Sequence, residues 1–325
     1  MGRRRMEVAM MRIGVVFPGQ GSQALAMGVD VAEQSAAARG LFERAAKILG
    51  YDLLALQRNG PEEKLRETQF SQPAIFTTNV ALYSAVGEAL RPVVTAGHSF
   101  AEFCSLYAAG ALQFDDAVRI VDERGKAMQH AAELAPGGMS AVLGLEAGAV
   151  RRVASEVAAQ TGTRVQLANF NSPTQIVISG DLAGVQAAGD AMLSAGAKRV
   201  VPLNVSGAWH SALMVPAIER FSKAVADGTF AVPSFDVVSN VDAQIYRDVE
   251  TIKKNLVDSI THEVRWHDTA LALLGHELDL VVEFGASGVL GPLMKRLPGA
   301  PDVKVVSDFG GVKKLQDLIG AGAPA

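Results

Sequence analysis

The run Val93-Val-Thr-Ala-Gly97-His-Ser99-Phe-Ala-Glu102 constrains this chain more than any other segment. Three β-branched residues and Ala96 lead into Gly97, a serine follows two positions later, and Ala101 and Glu102 open a helical pattern. A strand that turns abruptly into a helix with serine at the corner exposes the hydroxyl. It also aims the next backbone N–H at the same space. Such a turn is crowded, so the residues two before and two after the serine must be small, as Gly97 and Ala101 are. The bland alternative is an ordinary turn serine between small neighbours.

Short β-branched runs alternating with longer alanine-rich helical stretches predict an α/β fold on a mostly parallel sheet. Expected strands are Ile13–Phe17, Val93–Ala96, Val237–Ser239 and Leu280–Phe284. Between about residues 133 and 204 the rhythm changes. Strand Met139–Leu143, helix Ala147–Gln160, strands Val165–Asn169 and Gln175–Ser179, helix Leu182–Ala195 and strand Arg199–Asn204 follow one another. That β-α-β-β-α-β order is ferredoxin-like and predicts a small subdomain, 133–204, inserted into a larger one, 11–132 with 205–318. Residues 1–10 and 319–325 are expected to be loose termini. The cleft between two such units is where ligands commonly bind.

With 325 residues, 49% of them apolar and 20% charged, the chain can bury a large core. A net charge of −4 gives no reason to expect a nucleic-acid partner. One cysteine, Cys104, rules out an intrachain disulfide and fits a reducing compartment. Basic Arg3-Arg-Arg5 before an apolar stretch superficially suggests a leader, but Glu7 and Arg12 interrupt it. No membrane span and a cytoplasmic location are expected.

A nucleophilic serine needs a base. Of six histidines, His98 adjoins Ser99 and should point away from it, while His130, His262, His267 and His276 occupy amphipathic or charged contexts. His210 stands in Ser206-Gly-Ala-Trp-His-Ser211, mostly small residues beside a large aromatic; it is the best base candidate, or else a satisfied polar residue. The helix from about Asp115 to His130 puts Arg124 on one face with Ala117, Val121 and Met128. A guanidinium in an apolar stripe needs a partner. Either a carboxylate of this chain supplies it or a substrate carboxylate does. Gly19-Gln-Gly-Ser-Gln23 matches no phosphate-binding loop but could bring a second N–H to the serine.

Together Phe17-Pro-Gly-Gln-Gly-Ser-Gln23, Gln72-Pro-Ala74, Gly97-His-Ser-Phe-Ala-Glu102, Arg124-Gly125, Asn169-Phe-Asn-Ser-Pro173 and Ser206-Gly-Ala-Trp-His210 resemble the malonyl-CoA:acyl carrier protein transacylase family. The resemblance runs from about residue 12 to 315 and implies an α/β-hydrolase-like core with a ferredoxin-like insertion. It implies Ser99 as nucleophile, His210 as base and the N–H groups of Gln20 and Phe100 as the oxyanion hole. Arg124 would grip the malonyl carboxylate, with Gln72 and Met128 lining the acyl pocket. The carbonyl that orients the histidine would come from Arg265, within His262-Glu-Val-Arg-Trp266. Ala101 and Phe100 depart from the family's usual glycine and aliphatic residue. Trp209, where a smaller residue is usual, should crowd the acyl α-carbon and disfavour branched groups. Malonyl-CoA and acyl carrier protein are the implied partners of a monomer that needs no cofactor or metal. Lys295-Arg296 and Lys313-Lys314 are candidate contacts for an acidic carrier.

Overall fold

The computed structural model describes residues 11–320. The strands in chain order are β1 (Ile13–Phe17), β2 (Pro92–Gly97), β3 (Gly138–Leu143), β4 (Val165–Ser172), β5 (Gln175–Gly180), β6 (Arg199–Pro202), β7 (Asp236–Val237), β8 (Leu280–Phe284) and β9 (Asp302–Val306). They form two sheets. One is parallel throughout, in the order β7-β2-β1-β8-β9. Its central strand, Ile-Gly-Val-Val-Phe, is buried along its whole length, as a parallel strand covered on both faces must be. Successive side chains point to opposite faces. Val15, Phe17, Val282 and Phe284 therefore join one core, with the buried helix Thr68–Val86. Val16, Val94, Ala96 and Val281 join a second, with Trp266 and Leu273 of the helix Trp266–Leu274.

The other sheet is antiparallel, in the order β4-β5-β3-β6, the ferredoxin-like arrangement. Its own core packs Val142, Ile176 and Ile178 against Val150 and Val185 of two helices, Ala147–Thr161 and Leu182–Ser194. The segment around Val264 ties the two units together. Val264 donates its N–H to Ala168 O at 2.8 Å, and its carbonyl accepts from Phe170 N at 2.9 Å. All four antiparallel strands lie between residues 138 and 202.

The differences from expectation are local. β9, Asp-Val-Lys-Val-Val, was not anticipated; it is an edge strand whose exposed Asp302 and Lys304 break the apolar run. The strand expected at Val237–Ser239 is Asp236–Val237, with Val238 adding one more bond to Thr95. Ile319 and Gly320 complete the helix Phe309–Gly320 instead of belonging to a loose tail. The rest of the two termini, 1–10 and 321–325, lies outside the described residues.

The turn after β2 has the predicted form. β2 ends at Gly97, Ser99 adopts φ 57°, and a short 3₁₀ turn leads into the helix Glu102–Ala108. A Cβ on Gly97 would sit 2.0 Å from the carbonyl oxygen of Ala101. Gly97→Ala should lower the unfolding free energy by ~1–3 kcal/mol, the cost of overpacking. Gly40, in the helix Ala36–Leu49 with open space where its Cβ would go, is the control. Gly40→Ala should instead stabilise by ~0.5–1 kcal/mol, both values being read by denaturant titration.

Candidate active site

Parallel strands deliver their following loops to one edge of a sheet, where ligands usually bind. Here β1 is followed by the Gly19–Gln23 loop, β2 by Ser99, and β7 by Asn240. A cavity of about 310 Å³ opens there, lined among others by Gln20, Ser99, Arg124, Met128, Trp209 and His210. Larger grooves of about 840 and 700 Å³ lie elsewhere; the first is lined by neither serine nor histidine, and in the second Ser155 and His262 share no hydrogen bond.

Ser99 Oγ lies 2.8 Å from His210 Nε2. The other ring nitrogen, Nδ1, lies 2.7 Å from the carbonyl oxygen of Ser259 and donates to it when Nε2 accepts from the serine. No carboxylate takes part in this chain of bonds. Arg265 does not supply the carbonyl. Its oxygen accepts from Thr269 N at 2.9 Å, because Arg265 immediately precedes the helix Trp266–Leu274 and begins its hydrogen-bond ladder. Gln166 braces the region by donating to the carbonyls of His210 (3.3 Å) and Thr261 (3.2 Å). Burial, then the nearby Arg124 charge, pulls His210 down to about 3, so the imidazole is neutral at physiological pH.

Arg124 is only 1% exposed, yet among the described residues it has no carboxylate in salt-bridge contact. Its Nη1 donates to Gln72 Oε1 at 2.8 Å and its Nη2 approaches Ser99 Oγ at 3.4 Å. Nε is buried without a partner. The ion pair that the sequence left open is therefore absent from the described residues. Burial lowers the guanidinium to about 9, which still leaves it charged at neutral pH. Gln72 is fully buried behind it, held by Thr68 Oγ1 at 2.8 Å and in contact with Met128 Sδ at 3.6 Å. Gln72 thus fixes the arginine and does not line the cavity wall.

The backbone N–H groups of Gln20 and Phe100 donate to no protein acceptor among the described residues. The Ser99 N–H, by contrast, is taken by Asn240 Oδ1 at 2.9 Å. Asn79 steadies the first loop by donating to Pro18 O at 3.0 Å. A Cβ on Gly19 would meet His98 O at 2.5 Å, so only glycine allows the loop to come this close to the serine turn. His98 points its ring away from Ser99, with Nε2 3.0 Å from Asn171 Oδ1. The four remaining histidines do not line the cavity, nor do Lys295, Arg296, Lys313 or Lys314.

Sequence reasoning missed Ser259, Asn240 and Tyr246. Glu102 stands in the serine motif, but nothing local marks its role. Glu102 is buried, and burial raises its carboxyl to about 7 despite the hydrogen bonds from Tyr246 and Asn240 that hold it down. Its partners lie 138 and 144 residues away, so no local pattern could reveal them.

Residues 15–296 match the acyl transferase domain family. Among more particular relatives, the malonyl CoA-acyl carrier protein transacylase of Bacillus subtilis is 39% identical over 300 residues, 92% of this chain and 94% of that protein. The acyl carrier protein S-malonyltransferase of Vibrio cholerae superposes with a TM-score of 0.89 at 37% identity, over 94% of this chain and 99% of that one. A malonyl-transacylase solved with its type II PKS acyl-carrier protein gives a TM-score of 0.89 at 38% identity, again covering 94% and 99%. The chain belongs to the acyl transferase family, and within it to the malonyl CoA-acyl carrier protein transacylases.

A histidine serves as general base only when neutral, so a depressed pKa extends activity toward acid. Between pH 7 and pH 5, kcat/KM for acyl transfer should stay nearly level. A histidine at its ordinary value would lose roughly 25-fold over that range. A pH–rate profile with stability monitored in parallel checks this.

Proposed function

We propose that the protein transfers the malonyl group from malonyl-CoA to the pantetheine thiol of acyl carrier protein through a malonyl-Ser99 intermediate, in fatty acid biosynthesis. The single observation that carries this reading is a buried, unpaired arginine, Arg124, whose Nη2 lies 3.4 Å from the hydroxyl of a serine already bonded to a neutral histidine. A free carboxylate on the acyl group is the partner such a cation lacks.

The chemistry proceeds in two half-reactions. His210 Nε2 takes the Ser99 proton as Oγ bonds to the thioester carbon. The carbonyl oxygen gathers negative charge, and the free N–H groups of Gln20 and Phe100 are suited to receive it; one such donor is worth ~3–4 kcal/mol. The C–S bond then breaks, and His210 hands its proton to the departing CoA sulfur. In the second half-reaction the carrier-protein thiol gives its proton to His210 and attacks the ester carbon. The Ser99 C–O bond breaks, and the proton returns from His210 to Ser99 Oγ. The Ser259 carbonyl holds Nδ1–H throughout, so Nε2 always faces the serine. A carbonyl is enough for this role, because His210 must be oriented and needs no buried negative charge beside it.

Arg124, with Nη1 anchored on Gln72, both selects a carboxylate and holds the ester in place. Trp209 lines the same cavity, and its bulk is expected to disfavour branching beside the carbonyl. The proposed oligomeric state is a monomer. No described helix is long and apolar enough to cross a membrane, and the proposed setting is the cytoplasm.

The protein should convert holo acyl carrier protein to its malonyl form, and Arg124→Ala should separate substrates. Leaving the malonyl carboxylate without its partner costs ~3–5 kcal/mol, so kcat/KM for malonyl-CoA should fall ~10²–10⁴-fold. Acetyl-CoA, which has no carboxylate, should lose far less. Equal losses for the two thioesters would remove the clamp from the mechanism.

A further inference from the structure

The serine turn is held from outside by a side chain that arrives on a different strand. Asn240 follows β7, which pairs with β2, and its amide bridges the turn. Oδ1 accepts the Ser99 N–H at 2.9 Å, while Nδ2 donates to Gly97 O at 2.6 Å. The same Nδ2 donates to Glu102 Oε2 at 2.6 Å, and the Asn240 N–H reaches that oxygen at 2.9 Å. The other Glu102 oxygen accepts from the Tyr246 hydroxyl. Glu102, Asn240 and Tyr246 are all buried.

We propose that Asn240, fixed in rotamer by Glu102 and Tyr246, is the positioning residue that locks the Ser99 turn and leaves the Phe100 N–H as that segment's only oxyanion donor. Three observations support it. The Asn240 amide spans the two peptide groups on either side of His98, donating to the Gly97 carbonyl and accepting the N–H that enters Ser99. These bonds fix the peptide that leads into Ser99, whose φ of 57° a side chain rarely adopts. With the Ser99 N–H already taken, an incoming carbonyl oxygen cannot register on it in place of Phe100 N. The Glu102 carboxyl, finally, makes no hydrogen bond to Ser99 and does not line the cavity; it accepts from Asn240 and Tyr246. A carboxylate buried to bind two neighbours of the same chain is explained if its task is to orient one of them.

This rests on Ser99 being the nucleophile, which an acyl adduct on Ser99 in the wild-type protein establishes separately. Steady-state kinetics with malonyl-CoA and holo carrier protein then test the positioning. Asn240→Ala should lower kcat by on the order of 10²-fold, with KM for malonyl-CoA changed less than ~2-fold, the pattern of an interaction realised in the transition state. Glu102→Gln, of the same shape, should lower kcat ~10-fold, and Glu102→Gln/Asn240→Ala should be no slower than Asn240→Ala alone. Wild-type kcat in folded Asn240→Ala, or losses that multiply in the double variant, would overturn the proposal. Should Asn240→Ala fail to fold, Glu102→Gln and Tyr246→Phe decide the matter. A kcat-only loss shared non-additively between them supports the proposal, and unchanged kcat in both overturns it.

Discussion

A charged guanidinium buried without a carboxylate organises this active site. Arg124 is nearly inaccessible, stands close to Ser99 Oγ, and is anchored by the neutral amide of Gln72, with no carboxylate in contact among the described residues. Placing a charge there without a carboxylate in contact costs stability, with only the more distant Glu102 carboxyl acting to keep it charged, and its effects are visible nearby. The same charge adds to burial in keeping His210 neutral. A neutral histidine can accept the serine proton, and a neighbouring carboxylate would work against that state by favouring the imidazolium. The backbone carbonyl of Ser259 in place of an aspartate thus agrees electrostatically with Arg124. An acyl group that brings its own negative charge completes the balance on binding.

The mechanical side is a matter of tight backbone approach. Ser99 and His210 both sit at φ 57°, a conformation that costs ~1–3 kcal/mol for a residue with a side chain. Neither stands alone: the serine turn is clamped by Asn240, and the carbonyl of His210 by Gln166. Glycine appears where two backbones meet, at Gly97 beneath the turn and at Gly19 against His98. Rigidity of this kind keeps a serine hydroxyl and two N–H groups in register without help from the substrate.

Much of this was legible in the sequence because it depends on local pattern. The β-branched runs located both sheets, and the change of rhythm after residue 133 marked the antiparallel one. The serine turn followed from small residues at fixed offsets. Arg124 stood out because helical spacing put a cation among Ala117, Val121 and Met128, all of them buried. Whether that cation had a partner was not legible, since its neighbours come from distant segments. A carbonyl acceptor leaves no signature either, because every residue carries one; that is why Arg265 was expected where Ser259 serves. Asn240 escaped notice for the same reason, its partners Ser99 and Glu102 being 141 and 138 residues away. β9 was missed because an edge strand carries charged residues that mask its period.

The central claim is that acyl transfer passes through an ester on Ser99 chosen by its free carboxylate. Intact-mass spectrometry of the protein quenched shortly after mixing with malonyl-CoA, and separately with acetyl-CoA, addresses it most directly, with peptide mapping of any adduct. The account predicts a malonyl group on Ser99 that vanishes when holo acyl carrier protein is added, and little acetylation under the same conditions. An unmodified protein, an adduct on another residue, or equal labelling by both thioesters would contradict it.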